Sequence, residues 1–143
     1  MISLFPIYKK RLSTIDATDI SVQWDKGKAV GIKFRVIKDN FPLVFKLPVN
    51  VDAVEKLFLS LRKNKRLTNS QGRRLREQAE KTAWKSVSDL IDINVSHILT
   101  EQATLIQLFL GSAYDVEKDI TLFERYEVGG FKQLAGGNTW KEE

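Results

Sequence analysis

The stretch Lys28–Pro48, KAVGIKFRVIKDNFPLVFKLP, decides the fold. Val30, Ile32, Phe34 and Val36 alternate with Gly31, Lys33 and Arg35, and Leu43, Phe45 and Leu47 alternate with Val44 and Lys46. A period of two places successive side chains on opposite faces, the mark of half-buried strands. Between the runs, Asp39-Asn40 tolerates the positive φ of a tight hairpin turn. Upstream, Ile20, Val22 and Trp24 alternate with Ser21 and Gln23, and Asp25-Lys26-Gly27-Lys28 supplies another turn. Pro42 and Pro48 flank the third run, and proline cannot donate to a ladder, so that strand belongs at an edge. The expectation is an antiparallel three-stranded meander over about residues 20–47, with one apolar face and one face bearing Lys33, Arg35 and Lys46.

Downstream the period changes to that of helices, expected over about residues 53–126. Asp52-x-x-Glu55 has the form of a capping box, opening a helix with Val54, Leu57, Phe58 and Leu61 on one side. After the polar segment Arg62–Asn69, Thr68-x-x-Gln71 opens a long helix running to about residue 101, roughly 45 Å at 1.5 Å per residue. Its broad apolar face comprises Leu75, Ala79, Ala83, Val87, Leu90, Ile91 and Ile98, with Arg74, Lys81, Lys85, Asp89 and Asp92 opposite. Thr104-x-x-Gln107 starts a short helix that Gly111 stops, and Thr121-x-x-Glu124 opens a last turn with Leu122, Phe123 and Tyr126. Residues 1–127 thus read as one α+β domain, the meander packed on a helical half with one long amphipathic helix. Residues 128–143 are a Gly-rich tail with Phe131, Leu134 and Trp140 as apolar anchors, expected to order only on docking.

Charge is concentrated within this frame. Nine basic residues (Arg62, Lys63, Lys65, Arg66, Arg73, Arg74, Arg76, Lys81, Lys85) face two acids, Glu77 and Glu80, between positions 62 and 85. The formal charge of +5 is therefore one local patch on an otherwise slightly acidic chain. Such a field attracts a polyanion, or an acidic protein surface. The candidate partner-binding or nucleic-acid-binding residues are Arg62, Lys63, Lys65, Arg66, Arg73, Arg74, Lys81 and Lys85, the first four in a flexible connector and the rest on a rigid helix. A solvated helix face is the plainer reading of the same residues.

Other groups read as structural. Arg76, at i,i+4 from Glu80, is expected to pair with it and fix strand-to-helix packing. His97 is the single histidine and no cysteine accompanies it, so core-edge packing outweighs acid–base chemistry. Asp89-x-x-Asp92 could bridge a magnesium ion to phosphates, but lies beside Lys85. Trp84 is core or, alternatively, a platform for a nucleobase. No phosphate loop is present in the sequence, and no metal, cofactor or catalytic set is expected. No apolar run reaches 18 residues, and the N-terminus lacks the charge order of a signal peptide. With no cysteine, the expectation is a cytoplasmic, membrane-free protein.

The run Gln78-Ala79-Glu80-Lys81-Thr82-Ala83-Trp84-Lys85 resembles a family of small proteins encoded in bacteriophages and prophages, whose long helix reads Ala-Glu-Arg-x-Ala-Trp-Arg. Matching positions are Ala79, Glu80, Ala83, Trp84, Asp89, Ile91, Ile98, Phe109 and Leu110, and Phe45-Lys46-Leu47-Pro48 resembles the family's third strand. The likeness covers roughly residues 20–127. The chain departs from the pattern at Leu90, where relatives often carry tryptophan, at Asn94 for their glutamine and at Gly111 for their proline. The resemblance implies a mobile-element accessory protein in a bacterial host cell, and implies no reaction. By analogy with other small proteins of that setting, it points to an inhibitor of a host CRISPR effector nuclease. The alternative is a small DNA- or RNA-binding accessory of phage replication or recombination. The partner is then a host defence nuclease, another acidic or nucleic-acid-bearing protein, or nucleic acid itself; a homodimer stays open.

Overall fold

The computed structural model describes residues 5–131 and 134. Its elements run α1 (Phe5–Ser13), β1 (Thr18–Asp25), β2 (Lys28–Lys38), β3 (Phe41–Pro48), α2 (Val51–Ser60), α3 (Asn69–Leu99), α4 (Leu105–Phe109), a 3-10 turn (Leu110–Ser112), β4 (Tyr114–Asp115), β5 (Ile120–Thr121) and α5 (Leu122–Gly129). The fold is α+β. An antiparallel sheet in the order β1-β2-β3 is followed by helices dominated by α3, with β4 and β5 forming a small second hairpin.

Local chemistry accounts for the meander. Lys26 and Gly27 have φ of 50° and 78°, and Asp39 and Asn40 have φ of 51° and 68°. Each pair links directly opposed residues, Asp25 with Lys28 and Lys38 with Phe41. Positive φ at both central residues gives the type I′ turn, whose twist matches that of the strands. Pro42 and Pro48 lie on β3, an edge strand whose outer side is bridged only at Phe45 with Ala113 among the described residues. Gly31 is required for a packing reason: a Cβ there would sit 2.6 Å from the Leu47 carbonyl oxygen.

One buried cluster joins the layers. Ile32, Phe34 and Val36 of β2 and Phe45 and Leu47 of β3 share it with Ala79, Ala83, Trp84, Val87, Ile91 and Val95 of α3. Phe34 stacks on Phe45 with centroids 5.4 Å apart and meets Phe109 of α4 edge-on at 5.7 Å. Ile32, Phe34 and Phe45 of the sheet's apolar face share this core with Ala83, Val87 and Ile91, as expected, whereas Val30 of the same alternating run is not part of it and lines a cavity instead. Neither amphipathic face could stay in water, and layering buries both.

Several expectations need correction. The N-terminal helix α1 lies outside the span where helices are expected; it buries Tyr8 and Leu12, one turn apart, between α3 and β1. Its chain leaves through Asp16 at φ 63°, with the Ala17 amide donating to the Leu12 carbonyl, a left-handed helix stop. The cap of α2 is Asn50, whose side chain accepts from the Ala53 amide, so Asp52-x-x-Glu55 is not a capping box. Leu57 of α2, Leu61 just after it and Leu90 of α3 are 54%, 73% and 47% exposed. His97 is exposed on the last turns of α3 rather than packed at a core edge. Gly111 does not end the helical path: α4 tightens into the 3-10 turn through it. Trp140 lies outside the described residues, whereas Phe131 sits 6.4 Å from Phe123 of α5. No helix among the described residues is long and apolar enough to cross a membrane.

Candidate functional site

The corner where α2 turns into α3 gathers the basic window. Thr68 caps α3, accepting from the Gln71 amide while the Gln71 side chain accepts from the Thr68 amide, so this box is real. It fixes where the helix begins and hence where Arg73, Arg74, Lys81 and Lys85 point. All four are exposed. The connector before it is more ordered than a tether. Asn64 Oδ1 accepts from the Arg66 amide at 3.0 Å, and Arg62 Nε donates to the Asn64 carbonyl at 3.3 Å.

The cations then divide by their partners. Lys65 Nζ donates to the Leu59 and Ser60 carbonyls at 2.8 and 2.7 Å. These belong to the last turn of α2, whose carbonyls have no intrahelical partner, so Lys65 is a helix cap as well as a charge. Lys85 Nζ pairs with Asp89 Oδ1 at 2.5 Å. Lys63, Arg66, Arg73, Arg74 and Lys81 are exposed and make no ion pair among the described residues. Those five, with Arg62 beside them, are the charges open to a partner.

Arg76 engages one of the window's two acids, Glu80, together with Asp52 and Glu55 of α2. Its Nη1 lies 2.5 Å from Asp52 Oδ1 and 2.8 Å from Glu55 Oε2, with Nε 3.8 Å from Glu80 Oε1. The expected pair with Glu80 is thus the longest of three and lies within α3, while the contacts to Asp52 and Glu55 tie α3 to α2 rather than a strand to a helix. The hydrogen bond from Arg76, and its charge after that, hold the Asp52 carboxyl below the usual range, while hydrogen bonds to Glu55 and Asp52 raise Arg76 further. Three acids converge on one half-buried guanidinium and leave the rest of the window positive.

This arrangement predicts a pH signature. A carboxyl whose folded pKa is depressed contributes stability above its unfolded value, about 3.9, and loses it as pH falls through the folded value. Arg76→Met should cost about 1 kcal/mol at pH 7, nearer to a surface pair than a buried one because the Arg76 side chain keeps 27% of its surface exposed. It should also flatten the stability curve below about pH 4. Urea melts at neutral and acid pH would test this; an acid limb identical to wild type removes Asp52 from the linkage.

The remaining candidates fall away from this corner. Asp92 pairs with Arg11 at 2.5 Å and Asp89 with Lys85, and no metal-holding group of three or more ligands occurs among the described residues. Trp84 is 1% exposed and cannot be a stacking platform. No protein-family model, curated protein or solved structure matches the chain.

Proposed function

We propose that this chain is a non-enzymatic binding protein of a bacteriophage or prophage. It docks through its basic corner on a host CRISPR effector nuclease, occupying the acidic or nucleic-acid-bearing surface that the nuclease needs. The observation that carries this reading is the excess of free cations: Lys63, Arg66, Arg73, Arg74 and Lys81, spread over the connector and the first half of α3, are exposed and unpaired among the described residues, with Glu77 the exposed acid among them. Arg73 and Arg74 follow a first helical turn that contains no acid. Positive charge near a helix N-terminus opposes the macrodipole, so these arginines favour a partner at the expense of stability.

A second reading is favoured by the stripe on α3. Arg74 and Lys81 are seven residues apart on the exposed face, about 10.5 Å along the axis, and lie parallel to a rod-like polyanion as readily as against a protein. Under it the protein is a DNA- or RNA-binding accessory of phage replication or recombination.

Affinity capture from a host lysate, with and without nuclease digestion, separates the two. An inhibitor retains its protein target after digestion and blocks that target's cleavage of its substrate. An accessory loses its capture on digestion and shifts bare DNA or RNA with an affinity that falls steeply with salt, as counterion release requires. A protein that neither blocks a nuclease nor shifts nucleic acid would end both readings.

A further inference from the structure

The outer face of the β1-β2-β3 sheet carries a feature separate from the basic corner. Lys33 and Lys46 are directly opposed across β2 and β3. Like charges so placed destabilise the pair, and neither lysine has an acidic partner among the described residues, whereas Arg35 is neutralised by Asp19 at 2.8 Å. Ser21 stands opposite Lys33 on β1. Lys46 Nζ is steadied 5.3 Å from the centre of the Tyr114 ring, a cation–π contact. The row Ser21–Lys33–Lys46 spans about 10 Å at the usual strand spacing and is only half covered.

Lys46 also lines a cavity of about 570 Å³, with Val30, Pro48, Ser112, Phe123 and Glu124 among its walls. Its walls are mainly apolar, and Phe123, which packs on Phe131 at 6.4 Å on one side, lines it with 52% of its surface exposed. Glu124, an acid in this wall, accepts through Oε1 from the Thr121 amide and hydroxyl at 3.2 and 2.9 Å and forms no ion pair with Lys46 among the described residues. Two unpaired lysines call for an anion, and the hollow beside them calls for a flat apolar body with polar edges. A nucleotide unit supplies both, with its phosphate and its base. An acidic peptide would satisfy the lysines and leave the cavity empty.

We propose that this sheet face binds a single-stranded nucleic acid, with backbone phosphate on Lys33 and Lys46 and one base in the cavity against Phe123. Combining a positive track with an aromatic that stacks any base is the general solution for single strands. A duplex cannot use the cavity, because its bases are already stacked. The site does not depend on which partner takes the basic corner.

The test is fluorescence anisotropy with labelled oligothymidylate and with an abasic oligomer of the same length. Wild type should bind the oligothymidylate more tightly. K33E/K46E should weaken binding of both probes and lower the salt slope by about 0.7 for each phosphate that is no longer neutralised. F123A should weaken only the oligothymidylate, roughly tenfold or more for the removal of one stacking ring. Reversing the basic corner should weaken both probes alike and keep the preference for bases, which separates this site from that one. The double variant keeps two like charges opposed but gives up the Lys46–Tyr114 contact, so it should melt slightly below wild type, with an unchanged circular dichroism spectrum reporting an intact fold. K33E alone sets Glu opposite Lys46 and should melt slightly higher. No preference for bases in wild type, unchanged binding by both K33E/K46E and F123A, or equal competition by poly-glutamate would each overturn the proposal.

Discussion

Trp84→Ala should cost about 3–5 kcal/mol, the range for deleting a large buried aromatic. That is a large fraction of the roughly 5–15 kcal/mol that typically holds a domain together. Trp84 is 1% exposed and stacks on Tyr8 with ring centroids 5.8 Å apart. The Tyr8 hydroxyl donates to the Trp84 carbonyl at 2.7 Å, so the substitution also loosens α1 from α3. Burial, and secondarily the charge of Asp89, push the Tyr8 phenol up to about 12. A phenol so raised is protonated in the folded state while the unfolded chain ionises near 10. Stability should therefore hold below about pH 10 and decline between about 10 and 12. In the variant the phenol should titrate nearer 10, as read by ultraviolet absorbance. Trp84→Phe should cost less than alanine, because the indole Nε1–H is buried without an acceptor among the described residues and phenylalanine removes that unsatisfied donor. Equal stability of Trp84→Ala and wild type in urea would place Trp84 outside the core.

The reasons Trp84 could be read as core, yet its partner Tyr8 could not, describe what this sequence makes legible. Strands and turns rest on neighbours in the chain: the alternation through Phe34 and Phe45, and the turn residues Lys26-Gly27 and Asp39-Asn40. The capping boxes at Thr68, Thr104 and Thr121 are equally local, and all three are present. The box at Asp52 and Glu55 fails because its carboxylates meet Arg76, 24 and 21 residues away, and Asn50 serves as cap instead. Helix α1 buries Tyr8 and Leu12, and their apolar surroundings exist only once α3 and β1 are in place. On α3 the buried residues pass from Ala79 and Ala83 to Ile91 and Val95 as its packing passes from α2 to α1. A straight wheel takes no account of that turn and puts Leu90 inside. At the candidate site, the excess of cations is a property of composition and is legible. Which cations are engaged from a distance along the chain, as Lys65 is by two carbonyls of α2 and Arg76 by Asp52 and Glu55, depends on geometry and is not, whereas the Arg76–Glu80 pair is local and is legible.

That division changes how the basic corner should be tested, and the largest functional effect is expected from Lys63, Arg66, Arg73 and Arg74 reversed together to glutamate. Lys65 is left alone because glutamate there would uncap α2 and confuse folding with binding. Each reversal shifts the charge by two, so four take the chain from a formal +5 to −3. None of the four is buried or ion-paired among the described residues, so the fold gives up little. Acids near the N-terminus of α3 would complement its dipole, by a few tenths of a kcal/mol beyond the first turn. The reversed protein should therefore melt at or slightly above the temperature of wild type while losing the partner that docks on the corner. Stability and binding moving in opposite directions is what a solvated, non-functional face cannot produce, since there the reversal would leave binding untouched. The host partner should be lost whether it is a nuclease or nucleic acid, because both readings place a negative surface against these four side chains. Undiminished capture by a well-folded reversed protein would show that the corner is only a charged surface, and the proposed function would fall with it.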